Sequence, residues 1–374
     1  MDELLKKHKV IVCVGSGGVG KTTMSAALAI RARQLELRTL VITVDPAKRL
    51  ATAMGLDLTG IEERVVPNLS GVTTKGVLSA AIIDSKKTFD AFVMKHSTDP
   101  ELVRKLAKNR LYQQLSTTLS GSQEFTSLER LLQAVESNAY DLVILDTPPT
   151  QHAIDFLSAP ERIRNLFQDT ITKWFMNPGE NSGFLASSFK GQGLIGALIG
   201  RGTRVALKSL EVLTGARFID ELIDFFQSVQ SIQKTLRDRT EKINQILMSK
   251  DATFFLVTSF DAAKLVEARH LSGHLDRYGY NLGACILNRA FPESLPDLEN
   301  LKLQIPEYLQ PAAGRLVAFH TRVKNDHEQR FKLFRDFEEK IDSKVIVVRV
   351  PEYRDDLFGL EDLESLARFL GAST

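Results

Sequence analysis

The run Gly15-Ser16-Gly17-Gly18-Val19-Gly20-Lys21-Thr22-Thr23 carries residue types at a spacing suited to holding phosphate. Gly15, Gly20, Lys21 and Thr22 fall on the fixed positions of the template G-x-x-x-x-G-K-[ST]. Glycines let a backbone close in on an anion, and the start of a following helix points free N–H groups at it. Lys21 adds a point charge, and the Thr22 hydroxyl is of a type that reaches a magnesium ion. The plain alternative is a glycine-rich turn that matches by chance. The flanking elements weigh against it.

Those elements are a strand before and a helix after. Val10-Ile11-Val12-Cys13-Val14 is a short apolar, β-branched run that reads as a buried strand. Met24–Ala32 is rich in alanine and leucine and reads as helix. A second buried strand, Thr39–Val44, ends in Asp45-Pro46-Ala47. Proline cannot join a central ladder, so Asp45 sits at that strand's carboxyl end, the edge where open parallel sheets bind ligands. A third strand, Leu142–Leu145, ends in Asp146-Thr147-Pro148-Pro149-Thr150. Two strand-end aspartates beside a phosphate loop can hold magnesium waters and an attacking water near a terminal phosphate. Two helix-capping aspartates are the alternative.

Between these landmarks, residues 51–76 are poorly periodic, with a short strand expected at Leu69–Thr74 and helices at 79–95, 99–118 and 122–137. Residues 151–250 hold no convincing strand. Phe218, Leu222, Phe225, Val229 and Ile232 form one apolar helical stripe, widened by Ile219, Ile223 and Phe226. Upstream, 177–202 mixes glycine and serine with apolar residues. Core packing plus a linker, or a mobile apolar surface for a hydrophobic client, both fit that block. Strands resume at Thr253–Thr258 and Ala284–Leu287, the latter ending in Asn288-Arg289, with a helix at Ala262–Tyr278 between them. A long charged helix over 315–341, with Leu316, Phe319, Val323, Phe334, Phe337 and Ile341 on one side, precedes a strand at Lys344–Val350 and an amphipathic helix at Leu360–Leu370. Alternating strands and helices predict an α/β, doubly wound, mostly parallel sheet with an inserted α-helical subdomain. The sheet domain is then discontinuous, 1–150 with 251–374, and 151–250 is the insertion, which part of 79–137 can join.

Composition bounds the rest. With 48 basic and 46 acidic residues the formal net charge is +2, which gives no nucleic-acid footprint. No apolar run reaches the roughly 18 residues of a membrane span. Cys13 and Cys285, the two cysteines, both lie in apolar strands and form no CxxC pair, so a core role is expected, without zinc and without a disulfide framework. The residues after Met1 do not read as a signal peptide, and a reduced, cytoplasmic setting is expected. Guanine-reading loops carry N-K-x-D, whereas here the run is Asn288-Arg289-Ala290-Phe291. Asn can still pair with the edge of adenine, which favours ATP. Asn288 as a plain turn residue is the alternative.

Together these motifs resemble the arsenical-pump ATPase (ArsA) family, which includes the targeting factor for tail-anchored membrane proteins. The likeness runs nearly end to end and is greatest to bacterial members with a GSGGVGKT loop. Gly15–Thr23 resembles the family's deviant P-loop, Val44-Asp45-Pro46-Ala47 its switch I, and Asp146–Leu157 its switch II. The resemblance implies ATP and Mg²⁺ as ligands, with the loop residues Gly15, Ser16, Gly17, Gly18, Val19, Gly20, Lys21, Thr22 and Thr23 on the phosphates. It implies Thr22, Asp45 and Asp146 around Mg²⁺, Lys21 and Asp45 as catalytic residues, and Asn288, Arg289, Pro351 and Glu352 about the adenine.

Departures from the family pattern shape the expected activity. The family's P-loop begins Gly-Lys-Gly-Gly, and its lysine reaches the nucleotide of a partner subunit; here that residue is Ser16. The zinc-clamping CxxC of the targeting factors and the metalloid-binding cysteines of the arsenite pumps have no counterparts. The expectation is an ATPase, slow alone, that couples nucleotide-driven closure of a homodimer, or of a heterodimer with a paralogous ATPase, to a hydrophobic helical surface. A membrane-protein client is its possible cargo. Lys48, Arg49 or a paralogous subunit would supply the missing cation. A positioning ATPase of the ParA/MinD kind and a weakly hydrolysing ATP-binding regulatory subunit are the alternatives.

Overall fold

The computed structural model describes residues 1–43, 50, 54–56, 63–68, 74–97, 104, 108–109, 112–113, 122–147, 234–290, 292, 310–353 and 359–372. The chain divides into two compact units. One comprises Met1–Ile82, Gln133–Ile154 and Ile246–Thr374; the other comprises Ile83–Leu132 and Asp155–Gln245.

The first unit is built on an eight-stranded sheet. A short helix α1 (Asp2–Lys7) leads into β1 (Val10–Val14), followed by α2 (Lys21–Gln34) and β2 (Thr39–Thr43). Then come β3 (Arg64–Val65), β4 (Leu78–Ile82), and β5 (Leu142–Asp146), with helices α3 (Ser85–His96) and α4 (Ser122–Ser137) in the chain between β4 and β5. β6 (Ala252–Ser259), α5 (Ala262–Arg277), β7 (Leu282–Ala290), α6 (Gln310–Glu338), β8 (Ile346–Pro351) and α7 (Leu360–Ala372) complete it. The strand order is β3-β4-β2-β5-β1-β6-β7-β8. Every pairing is parallel except that of β3 with β4.

The central strands are buried on both faces, which is why they read as unbroken apolar runs. All five residues of β1, β2 and β5 are buried. α2 is nearly as enclosed, because α7, which also touches β8, packs against it. Small side chains at Ala26, Ala27 and Ala29 allow that close layering, and Leu363, Leu366, Ala367 and Leu370 complete the core from α7. Within it, Arg33 of α2 pairs with Glu364 of α7 at 3.0 Å, and its side chain is only 1% exposed. α1, which the sequence did not signal, buries Leu5 and ties Asp2 to Arg31 at 2.6 Å.

Two sequence expectations change. Residues 78–82 form the strand β4 rather than the start of a helix; the helix α3 begins at Ser85, where the Asp84 side chain caps it by accepting from the Lys87 N–H at 3.0 Å. Thr74 is not in a strand, and the two-residue β3 lies upstream at Arg64–Val65; 69–73 lie outside the described residues. The apolar stripe at 218–232 and the run 177–202 are also outside them.

In the second unit, Phe89 and Phe92 each meet Phe125 edge to face, with centroids 5.7 Å apart for Phe92 and Phe125. A buried ion pair joins Arg239 to Glu129 at 2.7 Å. Among the described residues of the whole chain, no helix is long and apolar enough to cross a membrane.

Candidate nucleotide site

The site forms where β1 ends in mid-sheet. The chain leaves β1 toward β2 on one side, and β6 lies on the other, so the loop after β1 opens at the carboxyl edge where the strand order reverses. Two glycines there admit no other residue without rearrangement. A Cβ on Gly15 would lie 2.1 Å from the carbonyl oxygen of Val257, so the loop leans directly on β6. Gly20 caps α2 in the left-handed region, φ +93°, and a Cβ on it would lie 2.4 Å from Nδ2 of Asn288.

Lys21 begins α2. Its Nζ donates to the carbonyls of Gly15 at 2.9 Å and Ser16 at 2.8 Å, which folds the ammonium back across the loop. No side chain caps the helix start and no acidic residue lies in its first turn. The N–H groups and positive dipole end of α2 therefore face the loop with no carboxylate from the helix's own first turn against them.

Asp146 ends β5 and is buried. Register places it beside Cys13 of β1 and Thr43 of β2. Its Oδ2 accepts from the Thr22 hydroxyl at 2.7 Å and from the Thr43 hydroxyl at 2.8 Å. Asp146 is a strand-end carboxylate gripping the first turn of the P-loop helix. Thr147 anchors the next step, its hydroxyl donating to the Cys13 carbonyl at 2.8 Å. A hydroxyl and a carboxylate joined at the mouth of a phosphate loop are hard oxygen donors of the kind Mg²⁺ takes with water. Thr22 and Asp146 fit that ion; Asp45, with Lys48 and Arg49, lies outside the described residues.

Asn288, within β7, braces the loop from behind: its Nδ2 donates to the Val19 carbonyl at 2.9 Å, and its Oδ1 accepts from the Arg289 N–H at 2.9 Å. Arg289 is left-handed at φ +54°. The β7–β8 register sets Ala290 beside Pro351, so Asn288, Arg289, Pro351 and Glu352 gather at the same carboxyl edge.

Two participants carried no sequence signal as site residues. Thr43 looked like one more strand residue before Asp45, yet it shares the Asp146 oxygen. Glu267 on α5 lies beside the Ser16 side chain at the loop tip. The nearby Ser16 hydroxyl, with help from Lys264, lowers the pKa of its carboxyl below the ordinary 4.5. Lys264 lies 3.1 Å away on the same helix. Ser16, Glu267 and Lys264 thereby tie the loop tip to α5. Nothing in local sequence could pair position 16 with position 267, which only the β6–α5 crossover brings together.

Both cysteines sit in the core, where burial pushes each thiol up to about 12. They are poor nucleophiles and poor metal ligands there. Among the described residues, no three His, Cys, Asp or Glu side chains gather as a metal cluster.

Comparison with known proteins agrees with this geometry. Residues 8–188 match the family model described as anion-transporting ATPase, ArsA. The chain is 26% identical over 366 residues to a putative arsenical pump-driving ATPase 1 of Aquifex aeolicus, covering 97% of this chain and 78% of that one. It is 26% identical over 365 residues to ATPase GET3 of Malassezia globosa, covering 98% and 91%. With ATPase get3 of Aspergillus niger the figures are 27% over 359 residues, 95% and 88%.

Proposed function

We propose that the chain is an ATPase of the ArsA kind, the family its residues 8–188 match, and that it hydrolyses ATP in the loop after β1 and uses the cycle to close a dimer around a hydrophobic client. The observation that carries the catalytic half is the convergence of Lys21, Thr22 and Asp146 at one strand edge. An incoming β- or γ-phosphate exchanges places with the Gly15 and Ser16 carbonyls on the Lys21 ammonium, and the N–H groups of the first turn of α2 take the phosphate oxygens. Thr22 and Asp146 would hold Mg²⁺, which when bound neutralises charge on the phosphates. Asp45 orients the water. Asn288, Arg289, Pro351 and Glu352 flank the adenine.

The dimer, the client and the slow rate are finer parts of the same reading. They are supported by the family resemblance and by one contact. Because the Ser16 side chain brings no charge and lies beside Glu267, the loop tip offers no cation of its own to a γ-phosphate. A cation in that place is worth roughly 10³–10⁵ in rate, so slow turnover of the protein alone follows. The same contact favours, as a second reading, an ATP-binding regulatory subunit that scarcely hydrolyses.

Calorimetric titration with a non-hydrolysable ATP analogue, paired with steady-state turnover, separates these readings. Lys21→Ala is expected to abolish analogue binding, and Asp45→Asn to retain binding while slowing hydrolysis. Unchanged affinity in the Lys21 variant removes the site. Turnover that rises with protein concentration supports action as a dimer. A rate near about 1 s⁻¹ at all concentrations removes the missing-cation argument.

A further inference from the structure

The last residue of β2 carries a hydroxyl into the core. Thr43 is fully buried, as are the four residues before it. β2 lies in mid-sheet, in parallel register with β4 on one side and β5 on the other. Valine has the same shape as threonine and suits such a strand equally well. A buried hydroxyl is unfavourable there unless a hydrogen bond compensates it. A compensating bond is present: Thr43 donates to Oδ2 of Asp146 at 2.8 Å, and the register of β2 with β5 sets the two residues side by side.

Asp146 has the matching need. It is 1% exposed, and a buried carboxylate keeps its charge where hydrogen-bond donors replace water. Two donors meet on the same oxygen, the Thr22 hydroxyl at 2.7 Å and the Thr43 hydroxyl at 2.8 Å. They differ in what carries them. Thr22 lies in the first turn of the helix that follows the phosphate loop. Thr43 ends a strand locked between two neighbours. The carboxylate is thus oriented from the sheet by Thr43 and meets the loop helix through Thr22. A partner placed behind a metal-holding carboxylate fixes the direction in which that carboxylate faces.

We propose that Thr43 is a positioning residue for Mg²⁺. It holds the Asp146 carboxylate in the orientation that takes the ion together with Thr22, and itself touches neither ion nor nucleotide. The proposal rests on the reading of the loop as an ATP site and adds to it a residue that lies in no phosphate-loop motif. Asp45 follows Thr43 by two places in the chain. The strand end pinned to Asp146 is therefore also the end from which the water-orienting segment departs.

The test is calorimetric titration of the full-length protein with a non-hydrolysable ATP analogue, once in EDTA and once in saturating Mg²⁺. By linkage, the ratio of the two dissociation constants equals the factor by which bound analogue holds Mg²⁺ more tightly than free analogue does. Thr43→Val is expected to leave the dissociation constant in EDTA within about twofold of wild type and to lower the ratio by about 10-fold, the lower end for an outer-shell partner. Thr43→Ser, which keeps the hydroxyl, should retain the wild-type ratio. Thr43→Ala should lose the ratio as valine does, and it serves if a methyl group against Asp146 prevents the valine variant from folding. Weakening by the same factor with and without Mg²⁺ would give Thr43 a packing role only and overturn the proposal. So would an unchanged ratio in the valine and alanine variants, or a serine variant no better than these. Wild-type binding that gains nothing from Mg²⁺ overturns the proposal and leaves the nucleotide site standing. A wild type that binds no analogue, or a Lys21→Ala variant that binds it as wild type does, removes the ATP reading and the proposal with it.

Discussion

Replacing Gly20 by alanine puts a methyl group where the P-loop has no room for one. The new Cβ would lie 2.4 Å from Asn288 Nδ2, the atom that donates to the Val19 carbonyl at 2.9 Å. Two costs follow. Holding an L-residue at φ +93° in left-handed backbone costs about 1–2 kcal/mol. Driving the Asn288 amide away loses a half-buried hydrogen bond worth about 0.5–1.5 kcal/mol. The sum, about 1.5–3.5 kcal/mol, corresponds to a loss of roughly 10- to 400-fold in affinity for an ATP analogue if it falls on the binding-competent loop. Affinity is the better readout, because two units in one chain make a single unfolding transition unsafe to assume. The Asn288 part is separable. Asn288→Ala alone should cost about 0.5–1.5 kcal/mol, and in the Gly20→Ala background almost nothing more, so the two effects should couple by about that amount. Analogue affinity of Gly20→Ala within threefold of wild type, or strict additivity in the double variant, would refute the steric account of the loop.

Two further outcomes follow from charged contacts. Glu364→Ala strands the buried Arg33 guanidinium and should cost about 3–5 kcal/mol of stability; the Val66 and Pro67 carbonyls that Arg33 also reaches favour the lower end, and a denaturation shift worth less than about 1 kcal/mol would mean that the pair does not hold α2 to α7. The Ser16 and Lys264 contacts depress the Glu267 carboxyl below its ordinary 4.5. Their contribution is therefore complete above pH 4.5 and lost as pH falls through the lower folded value. Since Glu267 is solvent-exposed the effect stays within about 0.5 kcal/mol, and Glu267→Gln should lower the neutral plateau of the melting-temperature profile by that small amount and converge on wild type at the acid end, which flattens the acid limb. An identical acid limb in wild type and variant would deny the contact.

The parts legible in the sequence were those whose signal is local. Gly15–Thr23 announced itself because sterics demand glycine at fixed steps and the charge sits beside the helix start. β1, β5 and β6 announced themselves as short β-branched runs. β4 did not, because Leu78-Ser79-Ala80-Ala81-Ile82 contains the residues a helix also favours. Its burial on both faces removes the alternation that marks a strand, and its last residues run on into the apolar period of α3. The Asp84 cap was the overlooked stop signal. Asp146 could be read from its position at a strand end, but its partner Thr43 could not, since a threonine closing a buried strand is ordinary. Glu267 depended wholly on topology: a solvent-facing glutamate near a lysine on a helix looks like a surface ion pair until the crossover lays that helix beside the loop.

The place of β1 in the sheet also governs how the protein is born. Val10 lies between Val143 on one side and Ala252 on the other. A ribosome adding about 5–20 residues per second takes on the order of tens of seconds to deliver the second neighbour. Through that interval Val10-Ile11-Val12-Cys13-Val14 is an apolar, β-prone strand with an open edge, the type of segment that pairs with other chains. Nor can nucleotide rescue it early, because the loop after β1 is shaped by the carbonyl of Val257 and the amide of Asn288, both made later still. Synthesis therefore passes through a long stage in which a fully buried strand of the finished protein must be shielded by something other than its own sheet.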